Sequence, residues 1–326
     1  MQSSLLLLSA ALGAANAYTI TTSERFMLKN IDPIVFPGQY SKSHMHSFFG
    51  SDAVTINTTT SAELQAGCSS TENPNDYSVY WVPTLVYTSP TDGVQYPVPV
   101  NRFSAYYVSI NSAEVAIPQN YKGVAGSASA TSQDDVESLA GISWFCEGDD
   151  DQPAKDDAAF PLQTCSTHLQ TLLLFHDCVN EDTLESTYSG TQNWNSTYKA
   201  TNRCPEGMKR MPQLRFSIRY DLRTVLPDGW EGQPPLELAC GPSYCSHGDF
   251  INGWLPEAAE NMLQATSKTE FAGVDGPDGT YDAGSVCGAE NASDADPNHG
   301  TSDYAESVAL ISKRSVNKRR GVKSDA

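Results

Sequence analysis

Over 326 residues the chain carries 39 Asp and Glu against 20 Lys and Arg, a formal net charge of −19 at pH 7. That balance excludes nucleic acid, whose binding is driven by neutralising phosphate, and anionic membrane surfaces for the same reason; it suits solubility in an acidic exterior medium. The length fits one large domain or two small ones and is ample for a core.

Residues 1–17 hold the apolar run Leu5-Leu6-Leu7-Leu8 and end in Ala15-Asn16-Ala17, the small-x-small pattern of a secretory signal peptide. The run is too short to cross a bilayer, and no later segment approaches the roughly 20 apolar residues that a membrane helix needs. The mature chain is expected to be secreted, extracellular and monomeric. Eight cysteines (Cys68, Cys146, Cys165, Cys178, Cys204, Cys240, Cys245 and Cys287) then read as up to four disulfide bonds. The number of possible pairings leaves their connectivity open, and the absence of any Cys-x-x-Cys disfavours a zinc site on the cysteines. Sequons at Asn57, Asn195 and Asn291 fit a glycoprotein.

In chain order, the first cluster of interest is Ser43-His44-Met45-His46-Ser47-Phe48-Phe49-Gly50. Two histidines two residues apart on an extended strand point to one face and can converge on one ion or one substrate group. Runs at 77–87, 96–110, 141–146 and 171–176 are rich in Tyr, Val, Trp, Ile and Leu and are broken by Pro, Gly, Asn and Asp. Strict alternation at 214–222 predicts a half-buried antiparallel strand. Together they predict an all-β or β-dominated fold, an antiparallel β-sandwich with long loops and few short helices. The carboxylates of 147–157 lack the spacing of a calcium loop and read as a solvated run. The second cluster, Ser246-His247-Gly248-Asp249-Phe250-Ile251-Asn252-Gly253-Trp254, precedes one expected helix at 256–264, which would place His247 near a helix entry. Residues 272–326 read as a low-complexity, disordered tail ending in the basic pairs Lys313-Arg314 and Lys318-Arg319, so the domain is expected to span 18–271.

The ordered set Asp32-Pro33-Ile34-Val35-Phe36-Pro37-Gly38, His44-Met45-His46, Cys68, Asp76-Tyr77-Ser78-Val79-Tyr80-Trp81-Val82-Pro83, Cys204-Pro205 and His247 to Trp254 resembles the secreted, mainly fungal family called domain of unknown function 1996 (DUF1996). The chain departs from the family pattern at 175–180, which lacks a Trp and a Gly, and at Met208, where members often carry His. The resemblance implies a secreted β-rich domain and supports both histidine clusters as a shared feature. It implies no reaction.

Two chemistries compete for these residues. His44, His46 and His247 have the donor character for a divalent metal such as Zn or Cu. Alternatively, His44, His46, His247 and Asp249 are catalytic in a His/Asp-lined cleft, with Asp249 orienting or deprotonating His247. Asp32, Asp76, Tyr80, Trp81, Asn252 and Trp254 would then contact substrate, the aromatics, with Tyr106 and Tyr107, stacking on sugar rings. The expectation is a protein acting on extracellular or cell-wall polysaccharide, as a glycosidase or lyase; the alternative is a non-catalytic metal-binding or glycan-binding protein. No Gly-x-Ser-x-Gly, P-loop or dinucleotide fingerprint is present.

Overall fold

The structure is a computed structural model that describes residues 19–91, 93, 95–149, 156–190, 203–265 and 274–290. The signal-peptide segment, the sequons at Asn195 and Asn291 and the basic pairs of the tail lie outside the described residues. Ten strands build two main sheets: β1 (Thr19–Ser23), β2 (Arg25–Lys29), β3 (His46–Gly50), β4 (Val79–Pro83), β5 (Val100–Val108), β6 (Lys122–Gly126), β7 (Ser143–Cys146), β8 (Leu169–Leu174), β9 (Gln213–Tyr220) and β10 (His247–Ile251). The first sheet has the order β1-β5-β9-β8-β7 and the second β2-β3-β4-β10-β6, each antiparallel throughout. Two three-stranded sheets stand beside them, centred on Leu85–Thr88 and on Cys178–Val179.

Alternation decides which face each sheet buries. On β9, Leu214, Phe216, Ile218 and Tyr220 are buried, whereas Gln213, Arg215 and Arg219 are partly exposed. The inward residues meet Phe49, Tyr80 and Phe250 of the second sheet in one core. Its centre is aromatic: Phe49 stacks on Phe103 at 4.2 Å and Phe216 meets Phe103 edge-on at 4.9 Å. The opposite face of the second sheet carries Met27, Phe48, Trp81 and Ile251, covered by Ile31, Val54 and Leu64. Leu64 comes from α1 (Ser61–Leu64), a single turn held by a capping box between Thr60 and Glu63. The second helix, α2 (Pro256–Met262), starts with Pro256 at its first turn.

All eight cysteines are paired, as Cys68–Cys287, Cys146–Cys165, Cys178–Cys204 and Cys240–Cys245. The first of these corrects the expected boundary at 271. Residues 274–290 pack on the domain, held by the disulfide at Cys287 and by Tyr77, whose hydroxyl donates to Asp278 at 2.5 Å, and Asn73, which donates to the Val274 carbonyl at 3.1 Å. No helix among the described residues is long and apolar enough to cross a membrane.

Candidate metal centre

Strand register brings the histidine clusters together. His46 of β3 stands opposite Pro83 of β4, and β4 pairs with β10 in a register that sets Asp249 opposite Trp81. Two steps back along β10, His247 therefore flanks Pro83 from the other side, on the same face as His46. His44 enters from the segment just before β3. The ligand nitrogens of all three lie within 4.8 Å of one another, and the side chains are buried, His46 at 0% exposure and His247 at 4%. The rings of His44 and His46 are 4.2 Å apart, and those of His44 and His247 are 5.0 Å apart.

Backbone carbonyls fix two of the tautomers. His46 Nδ1 lies 3.0 Å from the Ile31 carbonyl and His247 Nδ1 lies 2.8 Å from the Cys245 carbonyl. A carbonyl only accepts, so each Nδ1 carries the proton and each neutral ring presents a bare Nε2. Those two Nε2 atoms face each other at 3.4 Å. A proton shared between them is disfavoured, because burial lowers His46 to about 3. The separation matches the roughly 3.3 Å between two nitrogens on one tetrahedral zinc with bonds of about 2.0–2.1 Å. Metal-bound histidines commonly donate their second N–H to a carbonyl in this way.

Asp249 lies beside the trio, with Oδ2 at 3.9 Å from His247 Nε2 and 1% exposure. Neither of its carboxylate oxygens accepts a hydrogen bond from any described residue. Burial pushes its carboxyl well above the usual range, and the neighbouring Asp32 charge raises it further. At 3.9 Å it makes no hydrogen bond to His247, and the Cys245 carbonyl already holds Nδ1; Asp249 does not orient that ring, contrary to expectation. Asp32 follows Ile31, whose carbonyl holds His46, and its Oδ1 accepts from the N–H groups of Ile34 at 3.0 Å and Val35 at 2.9 Å. Burial holds the Asp32 carboxyl above its ordinary value.

The other expected substrate contacts belong to the interior, except Tyr106, which is half-buried on the outer face of the first sheet. Tyr80, Trp81, Tyr107 and Trp254 are 0% exposed, so no ring face is open to a sugar. Asp76 accepts from the Tyr80 hydroxyl at 2.7 Å; that oxygen pairs with Tyr107 at 2.7 Å, and Trp254 Nε1 donates to Tyr107 at 2.8 Å, a chain that ties the two sheets. Asn252 donates to the carbonyls of Ile117 at 3.0 Å and Pro118 at 2.9 Å and serves as a strut. The large residue types that make a sugar platform also make a core, and only the fold separates the two uses. His247 opens β10, nine residues before α2 begins, so it occupies no helix entry. The Ile31 and Cys245 carbonyls escape sequence reasoning altogether, because every residue carries one.

The fold and the centre define a disulfide-bonded antiparallel β protein with a buried three-histidine cluster. The family model described as domain of unknown function (DUF1996) matches residues 32–254, which contain both histidine clusters, and the chain belongs to that family. No curated protein and no solved structure matches it.

Proposed function

We propose that the chain is a secreted metal-binding protein in which His44, His46, His247 and Asp249 hold one first-row divalent cation, Zn or Cu. The pair of Nε2 atoms facing each other at 3.4 Å, with both Nδ1 atoms committed to carbonyls, carries this reading. A cation at that point replaces repulsion between two lone pairs with two bonds. The buried Asp249 carboxylate offsets part of its charge and gains the partner that it lacks among the described residues. Three imidazoles and one carboxylate complete four positions, the closed arrangement of a holding site rather than one that leaves a place for reacting water. His44, His46 and His247 are 3%, 0% and 4% exposed, a burial that favours metal holding over sugar cleavage at this centre. Four disulfides and the leader-like residues 1–17 support an extracellular location. The sequon Asn57 is exposed and open to glycosylation.

Calorimetric titration of the chelator-treated protein with Zn(II) and with Cu(II) tests the proposal. One equivalent should bind to the wild type, and His46→Ala should abolish tight binding. Titration with no saturable equivalent, or an unchanged isotherm in the variant, would overturn it.

A further inference from the structure

A cleft of about 1160 Å3 lies between the β1–β2 turn, the chain after Cys68 and the outer face of the first sheet, and none of the centre's four ligands lines it. Arg102 of β5 and Arg219 of β9 stand directly opposite each other in the ladder, so two guanidinium groups share one face. Like charges so placed cost stability unless an anion lies between or beside them. Glu147 takes part of that role, its Oε1 lying 2.6 Å from Arg219. Arg25 enters the same cleft and donates to the Val98 carbonyl at 3.2 Å. Farther along β9, on the same face, Arg215 lies over the ring of Tyr106 at 4.3 Å. Four of the seven arginines among the described residues thus stand on this face or in the cleft beside it, in a chain of net charge −19.

From Arg215 to Arg219 the strand runs roughly 13 Å, so one ligand that reaches both carries separated charges. The same cleft is lined by the exposed carboxylates of Glu24 and Glu72. Those groups suit hydroxyl-bearing rings and disfavour a bare inorganic anion. We propose that the outer face of the first sheet and its cleft bind a uronic-acid polysaccharide, whose carboxylates pair with Arg102, Arg215 and Arg219 and whose hydroxyls meet Glu24 and Glu72. A planar guanidinium accepts a carboxylate through two parallel hydrogen bonds. The acidic remainder of the chain does not oppose this, because charges more than about 8 Å away are screened at physiological ionic strength. The proposal is independent of the metal centre.

Calorimetry of the full chain with a uronic-acid oligosaccharide tests it, with a neutral glucan oligosaccharide and inorganic phosphate as parallel titrants and thermal unfolding as the check on each variant's fold. Uronate binding should weaken at least about tenfold in Arg102→Gln and in Arg215→Gln, and should weaken with added salt. Arg223→Gln, whose side chain is 63% exposed beside Asp221, should leave it unchanged. If one of the two face variants fails to fold, the other carries the test. Absent uronate binding, equal binding of the neutral glucan or of phosphate, or binding unchanged in the face variants would overturn the proposal.

Discussion

Asp249 is the residue whose energetics depend most on the cation. Without metal it is a buried carboxyl with no hydrogen-bond donor among the described residues, and its charged form is strongly disfavoured. On the proposed reading the same carboxylate would be the cation's fourth ligand. Asp249→Asn should therefore leave the metal-free protein as stable as the wild type or more so, while reducing metal affinity by about tenfold or more. Urea unfolding with and without Zn(II) checks this, because ligand binding raises stability in proportion to the logarithm of occupancy; an equal gain in both proteins would contradict it. His44, His46, His247 and Asp249 were legible as a group because His-x-Asp spacing on β10 puts that pair on one face, and His-x-His spacing keeps His44 beside His46 although His44 lies before the strand begins. The burial of Tyr80, Trp81 and Trp254 was not legible, because nothing local distinguishes a core indole from an exposed one.

At the scale of elements, β9 was readable from alternation alone, and so was the antiparallel, β-dominated class. What could not be read is that β4 separates β3 from β10, since the pairing of β4 with β10, strands some 170 residues apart, leaves no local mark. That intervening strand spaces His46 and His247 across Pro83 and makes the centre. The start of β4 is fixed against the end of β3 by a close approach: a Cβ on Gly50 would lie 1.9 Å from the Ser78 carbonyl oxygen, at a φ of +95°. Gly50→Ala should cost roughly 3 kcal/mol or more, because both strain and backbone displacement follow. Gly207→Ala, at a φ of +85° with open space around it, should cost about 1 kcal/mol. Chemical denaturation of the two variants checks the difference, and equal costs would contradict the packing described for β3 and β4.

Across the whole molecule, the two sheets share the buried hydrogen-bond chain from Asp76 through Tyr80 and Tyr107 to Trp254. Burial raises the Asp76 carboxyl from 3.8 to about 6. The folded state therefore holds this proton more tightly than the unfolded one, so its contribution is fully present below about pH 4 and is lost as pH rises toward 6. The loss is on the order of 3 kcal/mol. Asp76→Asn should flatten the fall in stability between pH 4 and pH 6, measured by urea unfolding at each pH; an unchanged slope would contradict the assignment. The disulfide Cys68–Cys287, which spans 219 residues, ties the C-terminal described segment to this body. By loop entropy a closure of that length contributes roughly 5 kcal/mol. Composition marked the segment as tail-like, and a pairing over that distance cannot be chosen from eight cysteines by sequence alone.

The central claim is that one cation sits between His44, His46 and His247. Elemental analysis of the secreted protein, purified without chelators beside His46→Ala, tests it most directly. The account predicts close to one equivalent of Zn or Cu in the wild type and a loss of that metal in the variant. Wild-type protein that carries no stoichiometric metal, or a variant that retains it, would contradict the account.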